Sequence, residues 1–266
     1  MLIVAASDLH GTLPPPADFP RGDVLVLAGD LCPPGGPKTQ LPWLKTVFAR
    51  WVGRLPVDHV LATWGNHDFV GQEHPAPPIP RVRWLVDTAA EIDGCRFWGS
   101  PWSLPFFDWA FMRPEEELAK TWSAMPDDTD VAIVHGPPHG YGDLTSYGQH
   151  VGSVSLRRRL EEVRPQLAVF GHIHEAAGQW DLAGGVWANV SLLDLQCNLV
   201  RTAQVFTIDK RDTESASGRV DTGRPSRQHT THRCKSSHSP ISRTVDRRSR
   251  TNRAGGSRAT CSDTAS

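Results

Sequence analysis

Residues 2–11 read "LIVAASDLHG". Leu2 to Ala6 are apolar without interruption, and the chain then turns polar through Ser7, Asp8 and His10 to Gly11. A short apolar run, β-branched at Ile3 and Val4 and closed by a glycine-containing turn, reads as a buried strand. The same pattern recurs along the chain. Val24–Ala28 runs into "GDLC", His59–Thr63 into "WGNHD", Val131–Val134 into "HGPPHG" and Leu167–Phe170 into "GHIHE". Further strand candidates are Val82–Val86, Cys95–Trp98, Val186–Val190 and Ala203–Ile208.

Helical patterns lie between some of these runs. "LPWLKTVFARWVGRL" (41–55) sets Leu44, Val47, Phe48 and Trp51 on one face. "RPEEELAKTWSAM" (113–125) has Pro114 near a helix start and Glu115–Glu117 in the first turn, where the helix dipole favours acids. "GSVSLRRRLEEVRP" (152–165) offers Ser153 as N-cap, an apolar face of Leu156, Leu160 and Val163, and Pro165 beyond its end. Strands mixed with helices predict a layered α/β architecture with helices covering sheet faces. In such sheets the loops at the carboxyl ends of parallel strands line the binding crevice. The pattern therefore predicts that Asp8, His10, Asp30, Asn66, His67, Asp68, His135, His172 and His174 gather at one edge.

The chain of 266 residues fits one large domain or two small ones. Its net charge of −1 conceals two materials: residues 1–209 hold 15 Lys+Arg against 24 Asp+Glu, and residues 210–266 hold 13 against 5. The first part can bury a core. The second has almost no large apolar residues and cannot offset its ordering entropy, so it is expected to be a disordered basic tail. The acidic core argues against long nucleic-acid duplexes, while the tail leaves room for weak binding to nucleic acid or anionic surfaces. Cys32, Cys95, Cys197, Cys234 and Cys261 are odd in number and scattered, which argues against a disulfide framework. The first residues lack a basic n-region, and no segment approaches the ~18 apolar residues of a membrane span. A cytoplasmic location without a membrane partner is expected.

Each polar position has a plain reading when taken alone. Asp8 and His10 suit a strand-end turn, Asn66 suits a tight turn, and His135 suits a buried core histidine. His139 and His150 read as surface residues, and Asn189 equally as a turn residue or a positioning residue. The aromatic stretch "FWGSPWSLPFFDWAF" (97–111) reads as core packing in preference to a stacking surface. Together, neutral imidazoles and carboxylates suit a borderline divalent ion such as Zn, Mn or Fe. Two-metal sites hold ions about 4 Å apart and clamp both oxygens of a phosphoryl displacement. The donors present suffice for two incomplete shells.

The ordered blocks "DLH", "GD", "GNHD", "HG" and "GHIH" resemble the five signature blocks of the calcineurin-like metallophosphoesterase superfamily, across residues 8–174 with supporting strands to about 209. "HGPPHG", "FGHIHE" and "ANVS" further resemble its small branch of animal brain metallophosphoesterase-domain proteins and their bacterial relatives. The resemblance implies a two-sheet β-sandwich flanked by helices, in four layers α/β/β/α. Residues 1–209 would be the catalytic domain and 210–266 the tail. Asp8, His10 and His174 would hold one metal, Asn66, His135 and His172 the other, and Asp30 would bridge them. His67 would assist the leaving oxygen and Asp68 would orient His67. The spacer Ile173 would turn toward the core.

The implied cofactors are two divalent ions among Mn, Fe, Zn and Mg, with Mn favoured. The implied reaction is phosphoester hydrolysis by in-line attack of metal-bound hydroxide. A small-molecule phosphodiester is the expected substrate, with cyclic nucleotides as candidates. A broad phosphomonoesterase and a metal-bearing scaffold with little turnover are the rival readings. The sequence leaves oligomeric state open.

Overall fold

Alternation within the short apolar runs sets the layers. In strand β1 (Leu2–Ala6), Ile3 and Ala5 face one core while Val4 and Ala6 face another, as the period of two requires. The computed structural model describes residues 1–210, and the predicted basic tail from residue 211 onward lies outside the described residues.

Ten further strands follow: β2 Gly22–Ala28, β3 Val57–Thr63, β4 Val82–Trp84, β5 Thr88–Ile92, β6 Cys95–Ser100, β7 Val131–Val134, β8 Leu167–Phe170, β9 Gly178–Leu182, β10 Gly185–Asn189 and β11 Gln204–Thr207. They form two sheets. One has the order β11-β1-β2-β3-β4, and the other β5-β6-β7-β8-β10-β9. The central pairs β1/β2, β2/β3, β6/β7 and β7/β8 are parallel, with Ile3 opposite Val24 and Val131 opposite Leu167. Antiparallel edges close both sheets, through β11 on one and through β5 and β9 on the other.

The sheets meet through Ile3, Val24, Val26 and Leu61 on one side and Phe97, Ile133 and Val169 on the other. The outer face of the first sheet presents Val4, Leu25 and Leu27 to Leu44, Phe48 and Trp51 of the helical segment 37–52. The outer face of the second presents Trp98, Ala132 and Phe170 to helices Glu115–Ser123 and Val154–Val163, through Leu118, Trp122, Leu156 and Leu160. These are the four α/β/β/α layers that the resemblance implied.

Local signals act as read. Ser153 caps the Val154–Val163 helix, its Oγ accepting from the Leu156 amide at 3.0 Å. Arg164 ends that helix in a left-handed conformation ahead of Pro165. The segment 37–52 begins four residues before the predicted stretch, at Pro37, and passes through a π-type turn at Leu44–Phe48 just after Pro42. A proline inside a helix cannot donate to the preceding turn, and the ladder widens there. The predicted strands at 82–86, 186–190 and 203–208 are one or more residues shorter or shifted, while β5 and β9 lack long apolar runs and pass unseen in the sequence. Both are edge strands that are only partly buried, so they need no continuous apolar run. Cys32 and Cys95 are buried in the two cores. No helix among the described residues is long and apolar enough to cross a membrane.

Candidate metal centre

Five parallel strands end on the same side, and each delivers donors from the turn that follows it. Asp8 and His10 follow β1, Asp30 follows β2, Asn66 follows β3, His135 follows β7, and His172 and His174 follow β8. The turns are strained. Asp8, His10, Asp30 and His172 adopt left-handed φ values of 56°, 42°, 52° and 70°. Such conformations cost roughly 1–3 kcal/mol each and persist where surrounding structure imposes them. Here the imposing contacts are short. The Asp8 amide donates to Gly29 O at 3.0 Å, the His10 amide to Asp30 O at 2.9 Å, and the His172 amide to the Asp8 carboxylate at 3.1 Å.

The side chains converge in two groups. Asp8, His10 and His174 offer ligand atoms within 4.8 Å of one another, with His10 Nε2 and His174 Nε2 3.3 Å apart. Asn66 Oδ1 lies 2.7 Å from His135 Nε2 and 2.7 Å from His172 Nδ1. Asp30 stands between the groups, its Oδ2 3.6 Å from His10 Nε2 and 3.5 Å from His135 Nε2. Close approach demands glycine beside these ligands. A Cβ on Gly65 would run into Asp30 Oδ1 and the Asp30 amide, and one on Gly171 into Asp8 Oδ2 and Ser7 Oγ.

The donor set fits divalent ions on its own chemistry. His135 Nδ1 lies 2.9 Å from Ala28 O and His174 Nδ1 3.0 Å from Asp194 O. A carbonyl only accepts, so those nitrogens carry the protons and both Nε2 lone pairs aim inward. The buried Asn66 Nδ2 has no hydrogen-bond partner, while its oxygen faces two imidazoles. The His135 Nε2 lone pair and the Asn66 oxygen 2.7 Å from it repel one another unless a cation lies between them.

Burial pushes the imidazoles of His10 and His135 down and that of His172 to about 3, which leaves them neutral as ligands must be. Burial lifts Asp30 to about 8 against the pull of His67. His174 goes the other way. Burial lowers it, but Asp8 at 3.4 Å outweighs burial and raises it to about 9. Burial would raise Asp8 in turn, yet the His174 charge holds it well below the carboxylate range. A divalent ion supplies the same compensation and displaces the proton.

Two expectations change. The Asp68 carboxylate does not turn to the His67 ring. It accepts from the backbone amides of Leu31 (3.1 Å), Cys32 (2.8 Å) and Gly65 (2.8 Å), and so ties the turn after β2 to the turn after β3. The fixed geometry of three amides leaves it no free oxygen edge for an imidazole. Ile173 is half-exposed rather than turned into the core.

Other residues carry weight that the sequence did not announce. Ser191 Oγ donates to Asp8 Oδ2 at 2.6 Å. Asn189 Nδ2 donates to Gly142 O and Ile173 O, holding the turn after β8. Buried Gln40 grips His67 O and the Val70 amide. His67 itself is half-buried, its ring 5.0 Å from that of His10 and 4.5 Å from that of Trp109. Of these three polar residues only Asn189, inside "ANVS", bore a signal. Ser191 closes the same block without having been singled out, and Gln40 stands in no motif.

A family model described as Calcineurin-like phosphoesterase matches residues 1–176. Metallophosphoesterase domain-containing protein 1 of Homo sapiens is 33% identical over 204 residues, which cover 66% of this chain and 61% of that protein. The chain thus spans less than two thirds of that relative's length. A UPF0046 protein of Caenorhabditis elegans is 32% identical over 232 residues, covering 79% of this chain and 76% of that one. A solved crystal structure matches with a TM-score of 0.52 at 17% identity, over 71% of this chain and 89% of that chain, a likeness of fold alone.

Proposed function

The chain belongs to the calcineurin-like phosphoesterase family, and from that premise we propose that it is a metal-dependent phosphoester hydrolase. Within that class we assign it to small phosphodiesters, with cyclic nucleotides as candidate substrates, and to in-line attack of water at phosphorus. One observation carries the reading: two groups of inward donors, Asp8/His10/His174 and Asn66/His135/His172, share Asp30 between them. Two divalent ions in such a site lower the pKa of a ligated water and clamp phosphoryl oxygens. Manganese is the ion we favour among Mn, Fe, Zn and Mg; the mixed imidazole and carboxylate donors suit Mn, Fe and Zn alike.

The protein's own groups divide the remaining work. Asp8 and Asp30 supply the negative charge that offsets the ions. The backbone bonds of His135 and His174 fix which ring nitrogen is free. His67 stands at the half-exposed rim, where it can give a proton to the departing oxygen. A serine or cysteine nucleophile is not required. Cys32, the nearby thiol, is buried, and burial pushes its pKa well up and away from thiolate. The similarity to metallophosphoesterase-domain proteins supports the hydrolase class, and the acidic balance of residues 1–209 supports a small substrate over a nucleic-acid duplex.

Purified protein supplied with Mn²⁺ is expected to hydrolyse bis-p-nitrophenyl phosphate faster than p-nitrophenyl phosphate. Activity confined to the monoester would make it a phosphomonoesterase. Silence on both, with metal bound, would make it a metal-bearing scaffold and end the hydrolase reading.

A further inference from the structure

Phe106, Phe107 and Trp109 form an aromatic group that no core absorbs. Phe106 and Phe107 are 55% and 64% exposed, with ring centroids 4.4 Å apart. Trp109 lies 5.4 Å and 5.3 Å from them and reaches inward to within 4.5 Å of the His67 ring. The expectation of core packing therefore holds for Phe97, Trp98 and Phe111 but not for Phe106, Phe107 and Trp109.

The loop that carries them is held firmly. The Ala110 amide donates to Asn66 O at 3.0 Å, and the Phe111 amide to Gln72 Oε1 at 2.8 Å. Ser103 N donates to Phe111 O and Arg113 N to Ser103 O, closing the loop's base. The Arg113 guanidinium lies 3.4 Å over the Trp102 ring. Phe107 takes a left-handed φ of 56°, a conformation that bulky residues rarely adopt. The loop is thus anchored on the backbone of one candidate ligand and ends against the residue at the rim. It spends strain and exposed apolar surface at that place, which the fold does not need.

We infer that Phe106, Phe107 and Trp109 are a stacking platform for a planar ring carried by the substrate, an aryl group or a nucleobase on the ester oxygen. The inference rests on the hydrolase reading above, because it takes the phosphoryl group to sit at the donor cluster beside His67. Stacking on aromatic faces tolerates many rings, since each has a π-face, and it does not depend on hydrogen-bond readout.

The test uses ligands that the hydrolase cannot cleave. Affinities of the Mn²⁺-loaded full chain for phenylphosphonate and methylphosphonate are measured by calorimetry, alongside the methylenephosphonate analogue of AMP. Phenylphosphonate or the nucleotide analogue should bind about tenfold more tightly than methylphosphonate, the usual scale of one stacked ring. In Phe106→Ala/Phe107→Ala that preference should fall to about twofold or less while methylphosphonate affinity is kept. Both residues are exposed, so the variant is expected to fold. The tighter of the two aromatic ligands names the ring. Equal affinities in the unsubstituted protein, an unchanged preference in the variant, or no phosphonate binding would each overturn the platform. So would a size-exclusion result in which the double substitution splits a dimer and leaves the preference intact, since the patch would then be an interface between copies. Hydrolysis of bis-p-nitrophenyl phosphate is scored separately: its absence defeats the hydrolase reading, whereas the phosphonate preference alone decides the platform.

Discussion

Asp30 stands between the two donor groups. Its Oδ1 is held by the His67 amide at 2.7 Å, which leaves Oδ2 to face His10 and His135. Replacing it with asparagine removes the charge but keeps the shape. Asp30→Asn is expected to lose bound metal by elemental analysis, whereas His67→Ala should retain metal and lose roughly 100- to 10,000-fold in turnover. Full metal content and full activity in Asp30→Asn would refute the site assignment. Asp68 has a different kind of importance. Its carboxylate satisfies three buried amides, and each unsatisfied buried donor costs about 1–3 kcal/mol. Asp68→Ala should therefore unfold at distinctly lower denaturant concentration even without metal. A variant with unchanged stability would show that water replaces the carboxylate freely.

At the scale of the element, the turns after strands carry the candidate ligands and neighbouring segments hold the turns. The segment after β7 is an example. Asp143, almost fully buried, accepts from the Gly140 and Gly152 amides at 3.0 Å each and from His150 Nδ1 at 2.7 Å. Burial pushes its carboxyl up, but these donors outweigh burial and hold it below the ordinary value. A depressed folded pKa gives stability that is fully present above the unfolded value of about 3.9 and is lost as pH falls through the folded value. Asp143→Asn should cost about 1–3 kcal/mol in the metal-free protein at neutral pH. The Tm gap to the unsubstituted protein should stay constant down to about pH 5 and close at lower pH. A gap that persists undiminished at low pH would mean that the carboxylate charge contributes nothing. Nothing in the sequence singles out Asp143, because two of its partners are backbone amides, which have no sequence signature, and the third, His150, reads as a surface residue.

At the scale of the whole molecule, the described residues form a sandwich whose parallel strand ends share one rim. That rim was legible from five apolar runs that end alike, because a strand buried on both faces must be apolar throughout. β5 and β9 were not legible, since an edge strand tolerates polar residues. The site shows the same division. Asp8, His10, Asp30, Asn66, His135, His172 and His174 stand in compact blocks, and metal chemistry restricts which residues serve. Gln40 lies outside every block, and although Asp68 and Ser191 stand in "GNHD" and "ANVS", what they bind lies far along the chain, as with Asp68 to Cys32 and Ser191 to Asp8. The composition of residues 210–266 leads to a further expectation. Truncation after Asp209 should keep the thermal transition and the hydrolysis of bis-p-nitrophenyl phosphate, and loss of the transition would refute the proposed domain boundary.

The sequence by itself determined the buried strands and marked out the candidate donors, because burial dictates apolar runs and ligation restricts residue type; the four layers and the place of Asp30 came through the family resemblance. The tertiary structure alone decided two things: that Asp68 ties turns instead of steering His67, and that Phe106, Phe107 and Trp109 stand at the rim. Each depends on which distant segments meet, and a local pattern holds no record of its partners.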